Sequence, residues 1–152
     1  MFNIRELKIK KMHEKAVIPK YASKGAACFD LIAVTKQFKP LDVGPTFEYD
    51  TGLAFEIPEG YVGLVFPRSS ITTKTTLALG NGVGIIDSDY RGTIKFQFRK
   101  TNQMFQKDYE VGDRIGQMMI MPVTLANFIE VDELSETERG EGGFGSTKGF
   151  SE

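Results

Sequence analysis

Ile94-Lys95-Phe96-Gln97-Phe98-Arg99 decides the class of fold. Apolar and polar side chains alternate through it with the period of two that lets a strand bury one face and wet the other. Outward from this stretch, Leu7 to Lys10, Gly52 to Ile57, Tyr61 to Phe66, Ile115 to Met121 and Phe128 to Val131 are further apolar runs of strand length. Sixteen glycines and six prolines punctuate them, so the pattern predicts many short strands rather than a few long helices. Pro58-Glu59-Gly60 lies between two of the runs and suits a tight turn, which predicts a β-hairpin there. The only expected helix is one or two turns after Ser69-Ser70, where either serine can cap the start and the following threonines are poor helix formers.

A chain of 152 residues has the length of one domain with a real core. Nineteen Lys and Arg against twenty Asp and Glu leave a net charge of -1, which excludes a bulk positive field for nucleic acid or a membrane surface. Any phosphate binding is then local. A lone cysteine, Cys28, forms no internal disulfide, and the amino terminus carries no long apolar run, so the chain reads as a cytoplasmic protein. From Glu130 to Glu141 there are six acids against the single Arg139, and a glycine-rich stretch follows, the composition of a mobile tail.

Four segments carry candidate chemistry. Pro67-Arg68-Ser69-Ser70 brings a guanidinium, two hydroxyls and free backbone N–H groups to one helix start, a phosphate site. An ordinary capped turn whose arginine pairs with an acid is an equally good reading. In Asn81-Gly82-Val83-Gly84-Ile85-Ile86-Asp87-Ser88-Asp89-Tyr90-Arg91-Gly92 the glycines would admit a flat ring, Asp87 can accept a proton from water and Tyr90 can press on a sugar. Standing alone, that segment reads more readily as a hairpin with a solvated tip. Gly112-Asp113-Arg114-Ile115-Gly116-Gln117 offers Arg114 and Gln117 as phosphate donors, whereas Met118, Met119 and Met121 after it are core filler. Arg139 to Lys148 is either a glycine-rich phosphate loop or a disordered end. His13 and Cys28 have no partners at zinc spacing, and Asp30 is a lone acid in an apolar strand, the mark of a partnered or functional carboxylate.

In order and spacing these segments resemble the five motifs of the trimeric dUTPase family. The first is Ala26-Ala27-Cys28-Phe29-Asp30-Leu31, the second Pro67 to Ser70, the third Asn81 to Gly92, the fourth Gly112 to Gln117 and the fifth Arg139 to Thr147. Cys28 and Lys148 stand where that family commonly has glycine. The resemblance implies an all-β jelly-roll over residues 1–138 with one short helix, followed by a flexible substrate-capping arm over 139–152. It implies a homotrimer with shared active sites, dUTP as substrate and Mg2+ as cofactor. Asp87 would be the catalytic base and Tyr90 would exclude a ribose. Asn81, Gly84 and Ile86 would read uracil, while Arg68, Ser69, Ser70 and Gln117 would hold the triphosphate. Asp30 would order the waters of the magnesium. Phe144 would stack on uracil, and Arg139, Gly145, Ser146 and Thr147 would close on the phosphates.

Two rival readings stay in view. A dCTP deaminase has a related fold, but its catalytic glutamate falls where this chain has Gln97, an amide that cannot shuttle a proton. A dUTP-binding regulatory protein would keep the fold without fast turnover, which the intact Asp87 speaks against.

Overall fold

The computed structural model describes residues 6–41, 44–101 and 107–143. Among the described residues nine strands and one helical turn are formed: β1 (Lys8–Lys11), β2 (Phe29–Ile32), β3 (Thr35–Leu41), β4 (Gly44–Glu56), β5 (Tyr61–Phe66), α1 (Ile71–Lys74), β6 (Leu77–Leu79), β7 (Gly84–Ile86), β8 (Thr93–Lys100) and β9 (Arg114–Pro122). They build two antiparallel sheets, one ordered β1-β4-β8-β6 with β3 also on β4, the other β2-β9-β5-β7. This is the expected all-β, jelly-roll architecture.

The deciding stretch sits where its alternation requires. Ile94, Phe96 and Phe98 of β8 are at most 1% exposed, while Lys95, Gln97 and Arg99 face outward. Tyr49, Leu53 and Phe55 from β4, Leu31 from β2 and Ile115 and Met118 from β9 complete the core between the sheets. Met118 is core filler as expected, but Met121 at the strand end is exposed. The long strand β4 survives a register shift between Asp50 and Ala54. There Gly52 takes φ 63°, its N–H donates to Asp50 Oδ1 at 2.7 Å, and Thr51 Oγ1 donates to the Ile94 carbonyl at 2.9 Å.

Three expectations need correction. The turn at Pro58-Glu59-Gly60 is real, with Tyr61 N donating to the Pro58 carbonyl at 3.1 Å, but β4 and β5 lie in different sheets. It is a crossing between layers, not a hairpin, because Ile57 is buried and pulls the chain through the core edge. The same holds for Asn81 to Gly92, since β6 and β8 belong to one sheet and β7 to the other. Phe128 to Val131 forms no strand, and Phe128, Ile129 and Val131 are 98%, 81% and 55% exposed. Their apolar pattern finds no neighbouring strand among the described residues. The helix is a single turn with Ser70 at its N-cap, and the Ser70 hydroxyl makes no capping hydrogen bond.

Candidate active site

Asp30 on β2 is the hub of the first cluster. Its carboxylate accepts from Arg68 Nε at 3.2 Å on one oxygen and from an Arg114 terminal nitrogen at 3.1 Å on the other. Strand pairing sets this up, because Asp30 stands opposite Gln117 on β9, and Gln117 stands opposite Phe66 at the end of β5. Gln117 Nε2 in turn donates to the Pro67 carbonyl at 3.0 Å, which holds the start of Pro67 to Ser70 against the sheet. Arg68 thus pairs with an acid, as the bland reading had it, and the pair lies at a cavity. Arg68, Ser70, Lys74, Lys107 and Arg114 contribute to the lining of about 420 Å³, alongside Asp108, Tyr109 and Asp113. Cations gathered beside a serine hydroxyl are the chemistry of an anion site. A helical turn of four residues adds little dipole, so the side chains carry the field.

The second cluster is built by residues 80–95. Gly82 adopts φ 70°, a left-handed turn that leaves Asn81 exposed at its tip. Gly84 is glycine for another reason: a Cβ there would run into Val65 Cγ2 on the paired strand. Asn81, Gly84 and Ile86 line a cavity of about 340 Å³ together with Glu48, Lys95, Gln97 and Arg99. Asp87 and Tyr90 share a smaller one of about 240 Å³ with Ile86, Thr93 and the same Lys95. Tyr90 folds back over Gly92, where any Cβ would meet its ring, and its hydroxyl donates to the Thr93 carbonyl at 3.2 Å. Arg91 ties the turn by donating to the Ser88 and Tyr90 carbonyls at 2.6 and 3.0 Å. Asp87 is exposed within this braced turn.

Sequence reasoning passed over the floor beneath this cluster. Glu48 on β4 is buried and accepts from Lys39 Nζ at 2.7 Å, Gln97 Nε2 at 3.0 Å and Lys95 Nζ at 3.3 Å. The Lys39 hydrogen bond, helped by Gln97 and Lys95 against burial, holds its carboxyl down at about 2. Glu48 takes a polar place in the alternation Phe47-Glu48-Tyr49-Asp50, which marks it for a wet face, and only the sheet sets it opposite Gln97 and within reach of Lys95.

The family model described as dUTPase matches residues 14–148. The chain belongs to the dUTPase family. A deoxyuridine 5′-triphosphate nucleotidohydrolase of Nautilia profundicola is 47% identical over 144 residues, covering 93% of this chain and 98% of that one. A dUTPase of Staphylococcus bacteriophage 80alpha, solved with dUPNHPP, is 28% identical with a TM-score of 0.77, over 95% of this chain and 99% of that one. A mutant dUTPase of phage phi11 of S. aureus, described with a structural Mg(II) ion, shares the fold at 23% identity and a TM-score of 0.70, over 84% of this chain and 97% of that one.

Against the dUTPase motifs, one chain therefore brings together the first, second and fourth around Asp30, and separately folds the third around Lys95. The two clusters line different cavities, and β2 and β7 are opposite edges of the same sheet. Arg139 joins neither of these linings; its Nε donates to the Gly142 carbonyl at 2.8 Å within its own turn. Ser69 is exposed beside Arg68. Phe144, Gly145, Ser146, Thr147 and Lys148 lie outside the described residues. Among the described residues no group of three or more His, Cys, Asp or Glu could hold a metal, and no helix is long and apolar enough to cross a membrane.

Proposed function

We propose that the chain hydrolyses dUTP to dUMP and pyrophosphate, with Asp87 as the base that takes a proton from the attacking water. The observation that carries this reading is the match to the dUTPase family over residues 14–148. The chemistry of the two clusters supports it: arginines and hydroxyls suit a triphosphate, and a glycine-backed turn beside a carboxylate suits a base and sugar. Water adds to the α-phosphorus, the bond from that phosphorus to the bridging oxygen breaks, and pyrophosphate leaves with that oxygen. Arg68 neutralises the phosphates and, with Ser69, Ser70 and Gln117, orients them, so positioning and charge stabilisation do most of the work. Asn81, Gly84 and Ile86 present backbone groups to uracil, and Tyr90 fills the space that a ribose 2′-hydroxyl needs. Discarding dUTP keeps uracil out of DNA and supplies dUMP for thymidylate synthesis, a role for the cytoplasm of a cell or of a virus-infected host.

Mg2+ suits the donor set. The ion would be held mainly by the substrate phosphates, with the Asp30 carboxylate, seated between Arg68 and Arg114, ordering its waters. It supplies charge neutralisation on the phosphate oxygens.

The assembly is a homotrimer in which one subunit gives the Asp30 cluster and another the Asp87 cluster. The separation of the clusters within one chain supports this, as does the segment after β9. Val123, Leu125, Phe128, Ile129, Val131 and Leu134 are exposed along an irregular stretch whose last backbone hydrogen bond to the domain, among the described residues, is Val123 N to the Gly60 carbonyl at 2.8 Å. Such an apolar run is covered by a partner. Residues 1–138 form the domain and residues 139–152 the arm, with Phe144 over uracil and Arg139, Gly145, Ser146 and Thr147 on the phosphates. Pyrophosphate release measured side by side with dUTP, dCTP, dTTP and UTP tests the function. Selective release from dUTP is expected, and comparable turnover of UTP or dCTP overturns it.

A further inference from the structure

The cavity bordered by Arg68, Ser70 and Arg114 has one wall that the reaction above leaves unused. Tyr109, three residues before Gly112, is only 8% exposed, and its hydroxyl is buried without a hydrogen-bond partner. A phenol can donate and accept at once, and burying one unpaired is costly enough that each case in a folded protein needs a reason. Packing does not supply it, because phenylalanine would make the same ring contacts. Those contacts are tight: the Tyr49 ring stands edge-on at 6.3 Å, the Phe98 ring lies at 5.7 Å, and Tyr49 donates its own hydroxyl to the Tyr109 carbonyl at 2.9 Å. The ring is therefore clamped, in a residue that lines the cavity.

Ser70 lines the same cavity, and its hydroxyl is not spent on capping α1. Burial pushes the Tyr109 phenol up, while Arg68 and Ser70 act in the opposite sense, which puts both groups within electrostatic reach of it. No hydrogen bond of acceptable geometry closes between the phenol and Ser70. Two hydroxyl-bearing residues thus line one cationic cavity, and the phenol of one of them is unpaired. Serine has three staggered side-chain rotamers, so a turn about one bond can complete the contact.

We propose that Tyr109 is a positioning residue for the triphosphate: its hydroxyl donates to Ser70 Oγ and turns the Ser70 proton toward a phosphate oxygen in the cavity. The inference rests on the reading of Arg68 and Ser70 as phosphate ligands. In the chain from Tyr109 through Ser70 to phosphate each hydrogen bond polarises the next, so Ser70 becomes a stronger donor than it is alone. The free protein carries the unpaired phenol, and the substrate completes its pairing through Ser70.

The test uses the full chain with Tyr109→Phe, Ser70→Ala and the double variant, measuring dUTP hydrolysis and thermal melting without nucleotide. Tyr109→Phe is expected to melt at or above the wild-type temperature and to lose about two- to tenfold in kcat/KM, the span of one hydrogen bond. On the Ser70→Ala background the same change is expected to do nothing further. A steep fall in melting temperature would make the hydroxyl structural and overturn the proposal. So would an equal loss with and without Ser70, because the phenol would then act by another route. Wild-type kinetics for Tyr109→Phe beside an impaired Ser70→Ala sinks the role of Tyr109 and leaves the phosphate reading standing. Wild-type kinetics for Ser70→Ala sinks both.

Discussion

At Asp87 the shape of the side chain can be kept while its basic oxygen is removed. Asp87→Asn is expected to leave KM for dUTP near wild type and to lower kcat by about 10²–10⁴-fold, the usual contribution of a general base. Steady-state kinetics check this, and retention of more than about a tenth of the turnover contradicts the role. Glu48 makes a different residue-scale prediction. Its carboxyl is held from the ordinary 4.5 down to about 2, chiefly by the Lys39 hydrogen bond. A folded-state value below the unfolded one stabilises the fold above pH 4.5, and that stabilisation is lost as pH falls through about 2. With the lysine partners partly solvated, it amounts to about 2 kcal/mol. Glu48→Gln is expected to lower urea midpoints at neutral pH and to flatten their decline between pH 4.5 and 2. Parallel curves for the two proteins would contradict the network.

At the scale of elements, β7 depends on Gly84 lying flat against Val65 of β5. Gly84→Ala is expected to cost about 1–3 kcal/mol through overpacking, read as a lower melting temperature, and Val65→Ala in the same chain should recover part of it by opening space. Additive losses would mean that the contact is not what fixes glycine there. The strands themselves were legible to different degrees. Tyr61–Phe66 was read from the sequence with the bounds it takes as β5, and Ile94 to Phe98 sits inside β8. Thr35–Leu41 shows no apolar alternation, because Phe38 stands among Lys36, Gln37, Lys39 and Pro40, and among the described residues it is an edge strand on β4. Phe128 to Val131 was read as a strand on apolar character alone, which says that a segment wants covering but not what covers it.

For the whole molecule the arm and the assembly are tested together. Light scattering at micromolar concentration is expected to give three times the 17.0 kDa chain mass, and a 17.0 kDa particle contradicts the trimer. Truncation after Glu138 is expected to keep that particle and its melting temperature while abolishing most dUTP turnover, since residues 139–143 add no strand to either sheet. Melting that drops steeply while turnover per folded molecule is unchanged would make the arm a structural element rather than a lid.

Alternation in Ile94 to Phe98, glycine and proline punctuation, and the ordered motifs settled the all-β class and the family from sequence alone. Those signals are local: a strand's two faces and a turn's glycine are written within a few residues of each other. What the sequence could not place were contacts between distant positions. Asp30 reads as a lone acid until pairing with β9 sets it between Arg68 and Arg114. Glu48 carries no motif, and its network arises because sheet register sets Gln97 opposite it and brings Lys95 within reach. The turn at Pro58-Glu59-Gly60 shows the same division, since its residues specify a reversal and only the buried Ile57 beside it decides that the chain changes sheets. Burial and register are properties of the packed pair of sheets, and they exist only once residues far apart in the chain have closed over one core.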